Sequence, residues 1–213
     1  MILLLDFGGV CIKTPFEMLR EVEAIADLPS GSLDWTGPFD PSADPLWQEL
    51  LAERLTERGY WESRAREIGR LLGRSDFATS QYMELFAAAG ESILMRQEAL
   101  EVVAAVTGTG TQVAVLTNDL RAFHGEKWLA TWRFFTMVDP VVDASLTGVL
   151  KPDPGAYRLA LQALGDPDPA EVVFVDDQPA NAAGGVAAGL RTIHFDVTRA
   201  ESEWKDIAAI FGC

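Results

Sequence analysis

The chain has 213 residues, of which 32 are acidic and 17 basic, for a formal charge of -15. That excess of negative charge disfavours bare nucleic acid and anionic membrane surfaces as partners, and 48 % hydrophobic with 23 % charged residues excludes disordered, collagen-like and coiled-coil classes. Two cysteines and two histidines supply neither a disulfide framework nor a His-rich zinc centre, so oxygen ligands are what remains for a metal.

Taken in chain order, residues 1–5 form an apolar run that Asp6 interrupts and that carries no basic leader. It reads as a buried strand, not a signal peptide or membrane span, and a cytoplasmic location is the expectation. Residues 16–91 offer amphipathic helices over 45–57, 61–72 and 76–89 but no buried strand, and residues 28–45, rich in Pro, Gly, Ser and Asp, read as a shaped loop. Three further apolar runs, 112–116, 171–175 and 191–195, are too short for helices and too unbroken for half-exposed strands. Helical stretches are expected over 119–131, 154–164 and 179–188, the last two opened by proline. Strand alternating with helix predicts a three-layer α/β/α domain around a doubly wound parallel sheet, residues 1–14 and 92–213, with a helical insert over 15–91.

Three of the apolar runs end abruptly in polar residues: Leu5 in Asp6, Leu116 in Thr117 and Asn118, Val175 in Asp176 and Asp177. Each alone is an ordinary helix N-cap. In a doubly wound sheet, however, ligands bind outside the carboxyl ends of the strands, which brings these side chains to one crevice. Carboxylates without His or Cys there make a hard oxygen site that suits Mg²⁺, and a phosphate-bearing ligand complements that metal. Lys151, one of four lysines, stands at a double-proline corner and supplies a fixed positive charge for an anion.

These residues resemble the haloacid dehalogenase superfamily, whose four motifs occur in order: Asp6-Phe7-Gly8-Gly9-Val10, Leu116-Thr117-Asn118, Lys151-Pro152-Asp153-Pro154, and Val175-Asp176-Asp177-Gln178-Pro179-Ala180-Asn181. The resemblance implies that the insert is the small helical cap of the phosphatase-like branch. Trp35, Trp47, Tyr60, Trp61 and Phe86 would wall a pocket there or form the cap's core, the latter expected for Trp47, Trp61 and Phe86. It further implies that Asp6 is the nucleophile taking the phosphoryl group as an aspartyl-phosphate, and that Thr117 and the backbone near Asn118 bind phosphoryl oxygens. Lys151 would offset the charge shared by Asp6 and the phosphoryl group. Asp6, the Gly8 carbonyl and Asp177 would hold Mg²⁺, with Asp176 acting directly or through a bound water. Gly184 and Gly189 would let the following helix approach the sheet.

One position departs from that pattern. Phosphatases of the superfamily carry a second Asp two residues after the nucleophile as general acid, and here that place is Gly8. The expected activity is therefore Mg²⁺-dependent hydrolysis of a small phosphorylated metabolite with a good leaving group, such as a glycosyl, acyl or aryl phosphate. Asp34, Asp40 or Asp44 of the insert are the candidates to replace the acid. Hydrolysis at carbon, as in the dehalogenases, and a non-catalytic phosphate-binding or regulatory domain are the alternatives; a phosphonatase-type Schiff base is disfavoured because no lysine lies between Lys13 and Lys127. No Walker loop or Ser elbow is present, and Gly108-Thr109-Gly110 precedes a strand instead of following one. His124 and His194 read as structural histidines, Cys11 as a buried filler, and the arginines of 54–74, interleaved with glutamates, as a solvated helical face.

Overall fold

The structure is a computed structural model that describes residues 1–118, 120–121 and 128–213. Most of the helix expected over 119–131, with His124, lies outside the described residues. The chain divides into two compact units, one of Met1–Lys13 with Met95–Cys213, the other of Thr14–Leu94.

In chain order the elements are β1 (Ile2–Leu5), α1 (Leu19–Ile25), α2 (Pro45–Leu51), α3 (Glu57–Leu71), α4 (Thr79–Ala87), α5 (Glu91–Leu94) and α6 (Gln97–Gly108). They continue with β2 (Val113–Thr117), β3 (Val141–Asp143), α7 (Ala144–Thr147), α8 (Pro154–Ala163), β4 (Val172–Asp176), α9 (Pro179–Ala187), β5 (Arg191–His194) and α10 (Ala200–Phe211).

The first unit is the expected α/β core. Its five strands run in the order β3-β2-β1-β4-β5, and every neighbouring pair is parallel. The chain adds β2 and β3 on one side of β1, then crosses to place β4 on the other. The order therefore reverses between β1 and β4, which is where such sheets form a ligand crevice. One face of the sheet presents Leu4, Ala114, Leu116 and Phe174, packed with Tyr157 and Ala160 of α8 in a single apolar cluster. The register pairs Leu5, the last residue of β1, with Val115 on one side and Val175 on the other, so β1, β2 and β4 end within two residues of one another.

The outer strands differ from expectation. β3 was not expected because it is three residues long and half-exposed at the sheet edge, leaving no buried apolar run to detect. The run at 191–195 was expected to be fully buried, yet β5 is the opposite edge, with Arg191 and His194 exposed. The glycines of α9 also act differently. A Cβ on Gly184 would meet the Tyr157 hydroxyl at 2.5 Å, so it serves the contact with α8, while a Cβ on Gly185 would meet Phe174 at 2.6 Å and Thr192 at 2.7 Å. Gly185 is therefore the residue that lets α9 lie against the sheet.

The second unit is helical throughout, and its helix boundaries follow caps more than periodicity. The stretch expected as one helix over 45–57 ends at Leu51. Thr56 then accepts from the Gly59 N–H and starts α3 at Glu57, four residues before the expected Trp61. Trp35, Tyr60, Tyr82 and Phe86 are buried in this unit's own core, and Tyr60 makes edge contacts with Trp47 and Trp61. Two buried carboxylates hold the loop before α2. Glu23 accepts from the Gly31 and Leu33 amides, and Asp44 from Gly37, Trp47, the Tyr60 hydroxyl and Arg64. Arg64 is a correction to the solvated-face expectation: it is buried, ion-paired with Asp44 and Glu67, and stacked over Trp35 and Tyr60.

Candidate active site

Within the first unit the carboxyl ends of β1, β2 and β4 carry most of the residues that the sequence singles out. Asp6 follows β1 directly, and its amide continues the ladder by donating to the Val175 carbonyl at 2.8 Å. Thr117 closes β2, buried. Asp176 is the last residue of β4 and has no exposed surface, while Asp177 follows half-buried.

Lys151 joins these strand ends. Its ammonium donates to the Asp6 carboxylate at 2.8 Å and to Asp176 at 2.6 Å, and the residue is only 4 % exposed. The side chain of Asn118 fixes the lysine's backbone, accepting from the Lys151 amide at 2.8 Å and donating to its carbonyl at 3.1 Å. Asn118 is thus a holder of Lys151, a role that the expectation of phosphoryl binding did not include. Asp176 is fully engaged, since its second oxygen accepts from the Gln178 amide and the Asn181 side chain.

Burial pushes the Asp6 carboxyl up to about 6, and neighbouring Asp176 adds to the rise while Lys151 opposes it. Burial works against the Lys151 ammonium, but Asp6 and Asp176 outweigh it and hold the lysine above its ordinary value. The centre is therefore an ammonium locked between two carboxylates, with a third beside them. Asp6, Asp176 and Asp177 each offer one oxygen, and these atoms lie within 4.8 Å of one another. Three hard carboxylates set against one lysine leave surplus negative charge, and this donor set fits Mg²⁺ better than a soft or borderline metal.

The loop between β1 and Lys13 shapes the site. A Cβ at Gly8 would meet nothing within 4 Å, whereas Gly9 has φ +69° and a Cβ there would collide with the Asp177 carboxylate. Gly9 is required by both its conformation and its neighbour. Cys11 is buried and donates its S–H to the Asp6 carbonyl at 3.2 Å. Burial, with Asp6 nearby, raises its pKa well above the usual thiol value, so it stays a protonated filler. His194 is exposed and its Nε2 lies 3.1 Å from the Asp177 carbonyl. Phe7 points into a cluster with Trp128, Trp132, Phe134 and Phe135.

Two of the three acids proposed to replace the missing general acid are committed elsewhere in the second unit. Backbone and hydroxyl donors, with Arg64, hold the Asp44 carboxyl below its ordinary value against the opposing effect of burial. Ser42 does the same for Asp40. Asp34 is exposed.

Sequence reasoning missed Arg96 and Trp204. Arg96 Nε donates to the Gly9 carbonyl at 3.0 Å, and Trp204 Nε1 to the Val10 carbonyl at 3.3 Å. Their partners are main-chain oxygens, which leave no mark on the sequence.

Comparison with known proteins gives a match to a family model described as haloacid dehalogenase-like hydrolase over residues 2–189, ending before β5 and α10. The chain is 28 % identical over 211 residues to mouse acyl-CoA dehydrogenase family member 10, covering 97 % of this chain and 19 % of that protein. The chain thus spans about a fifth of that relative's length. Among solved structures it is similar to the magnesium-bound HAD-hydrolase YfnB from Bacillus subtilis, with TM-score 0.65 and 18 % identity over 90 % of this chain and 84 % of the other. It is also similar to an L-2-haloacid dehalogenase, with TM-score 0.60 and 18 % identity over 100 % and 98 % of the two chains. At those identities the likeness is one of fold.

Proposed function

Because the chain belongs to the haloacid dehalogenase-like hydrolase family, we propose that it is a Mg²⁺-dependent phosphatase of a small phosphorylated metabolite, acting through a phosphoryl-aspartate on Asp6. The observation that carries this reading is the Lys151 bridge between Asp6 and Asp176, with Asp177 completing an oxygen-only cluster. A carboxylate attacking a phosphate dianion must overcome repulsion, and a buried fixed ammonium touching the nucleophile reduces it. Mg²⁺, held by Asp6, Asp177 and the Gly8 carbonyl, supplies further charge neutralisation when bound.

In the first step an Asp6 oxygen forms a bond to phosphorus and the bond from phosphorus to the leaving oxygen breaks. The leaving group departs with the electron pair and takes a proton from solvent. In the second, water adds to phosphorus, the bond to Asp6 breaks, and orthophosphate is released with Asp6 restored as a carboxylate. Thr117 donates to a phosphoryl oxygen. Lys151 stays protonated and paired with Asp176 throughout, so it orients the nucleophile without consuming a proton. Gly8 offers no acid, and two of the three acids of the insert, Asp40 and Asp44, are held as carboxylates while Asp34 is exposed, which favours substrates with good leaving groups: acyl, glycosyl or aryl phosphates.

The test is a panel of phosphate esters and acyl phosphates together with a 2-haloacid, each with and without Mg²⁺. Phosphate release that requires Mg²⁺ and is lost in Asp6→Asn supports the reading. Halide release in metal-free buffer overturns it in favour of attack at carbon, and silence across the panel overturns the enzymatic reading.

A further inference from the structure

We propose that Trp204 and Arg96 are positioning residues for the metal-binding end of the nucleophile loop, an inference that rests on the Mg²⁺ reading above. Residues 6–12 turn so tightly that the Cys11 and Ile12 amides both donate to the Phe7 carbonyl, and Val10 donates to that of Gly8. The loop cannot satisfy its next three carbonyls itself. The Gly9 carbonyl accepts from Arg96 Nε, that of Val10 from Trp204 Nε1 and that of Cys11 from the Arg96 amide. These donors come from positions 87 and 194 residues distant in sequence for the two side chains, and both residues are buried.

The two donors form one bracket. Phe195, buried just after β5, packs at a steep angle on Trp204 with ring centres 6.1 Å apart, and the Arg96 guanidinium lies 6.0 Å from the same ring. A buried carbonyl without a donor is costly, so the bracket fixes the peptide planes of Gly9 and Val10. What those planes set is the approach to Asp177, because the Gly9 backbone is so close to that carboxylate that a Cβ would not fit. Releasing Gly9 and Val10 therefore lets the spacing of Asp6, the Gly8 carbonyl and Asp177 drift. Metal affinity responds to such outer supports.

Trp204→Phe removes the N–H and keeps a ring, and Arg96→Lys keeps the charge and the amide bond while removing Nε. Calorimetric titration of each folded variant with MgCl₂ is expected to give a Kd raised roughly three- to tenfold for Trp204→Phe, the range of one neutral hydrogen bond, and at least as much for Arg96→Lys, whose lost donor is charged. Ile207→Val, a packing change at another buried position of α10, is the control and should lower thermal stability while leaving the Mg²⁺ Kd unchanged. Wild-type affinity in both Trp204→Phe and Arg96→Lys, or an equal loss in Ile207→Val, overturns the proposal while the metal reading stands. Wild type that binds no Mg²⁺, or binds it as Asp177→Ala does, overturns the metal reading and this proposal with it.

Discussion

Gly8→Asp tests whether the chemistry is limited by a missing acid. The structure permits the change, since a Cβ at Gly8 meets nothing within 4 Å and its φ lies outside the left-handed region. Gly9, by contrast, tolerates no side chain. The new carboxyl would stand in open space two residues after Asp6, and any like charge near it raises a carboxyl's pKa and favours the protonated form. That is the state a general acid needs. A positioned acid is worth about 10² to 10⁴ in rate, or roughly 2.7 to 5.4 kcal/mol of barrier, and the gain should fall almost wholly on poor leaving groups. The assay is kcat/KM for a series of phosphate monoesters plotted against leaving-group pKa. Wild type should fall steeply along the series, Gly8→Asp much less so, with aryl phosphates nearly unchanged. A folded Gly8→Asp protein with undiminished Mg²⁺ affinity and the wild-type slope would refute the reasoning, because protonation would then not limit the reaction.

Three further outcomes follow from the packing. Lys151→Met strips the ammonium from the buried Asp6 and Asp176 carboxylates, a change that costs about 3 to 5 kcal/mol in comparable buried pairs; urea denaturation should show that loss, with saturating Mg²⁺ recovering part of it. Asp44→Ala leaves Arg64 buried and withdraws the acceptor of the Tyr60 hydroxyl and the Gly37 amide, so the second unit should lose a similar roughly 3 to 5 kcal/mol. Because the Asp44 pKa is depressed in the folded state, its contribution is complete above the ordinary carboxylate value and declines as pH falls through the folded pKa. The gap between wild type and Asp44→Ala, followed by near-ultraviolet dichroism of the tryptophans, should accordingly be constant from pH 8 to about 5 and narrow only in stronger acid. Gly185→Ala should destabilise the first unit by roughly 1 to 3 kcal/mol through overpacking against Phe174 and Thr192, read as a lower denaturation midpoint.

What the sequence discloses and what it hides divide along the range of the interaction. β1, β2 and β4 were legible because strands buried on both faces must be apolar without interruption, and Asp6, Thr117 and Asp176 because a polar residue ending such a run lies at the sheet's rim. Of the edge strands, β3 lacked that signature, and the run at 191–195 disclosed β5 but not its exposed Arg191 and His194, because edge position is a property of the whole sheet. Arg64 was misread for the same reason. Glutamates at helical spacing suggested an exposed face, whereas the partner that buries it, Asp44, lies 20 residues away and also caps α2. Gly184 and Gly185 look alike in sequence, and only the hydroxyl of Tyr157 and the ring of Phe174 distinguish them. Side chains that serve a main-chain carbonyl, such as Trp204, are the extreme case, because a carbonyl is present at every position and selects no residue type in its partner. A chemical group that must meet substrate is constrained by its own identity and so announces itself in a motif. A group that holds such a residue in place is constrained only by geometry, which is why Asp6 and Lys151 could be singled out from the sequence and Arg96 and Trp204 could not.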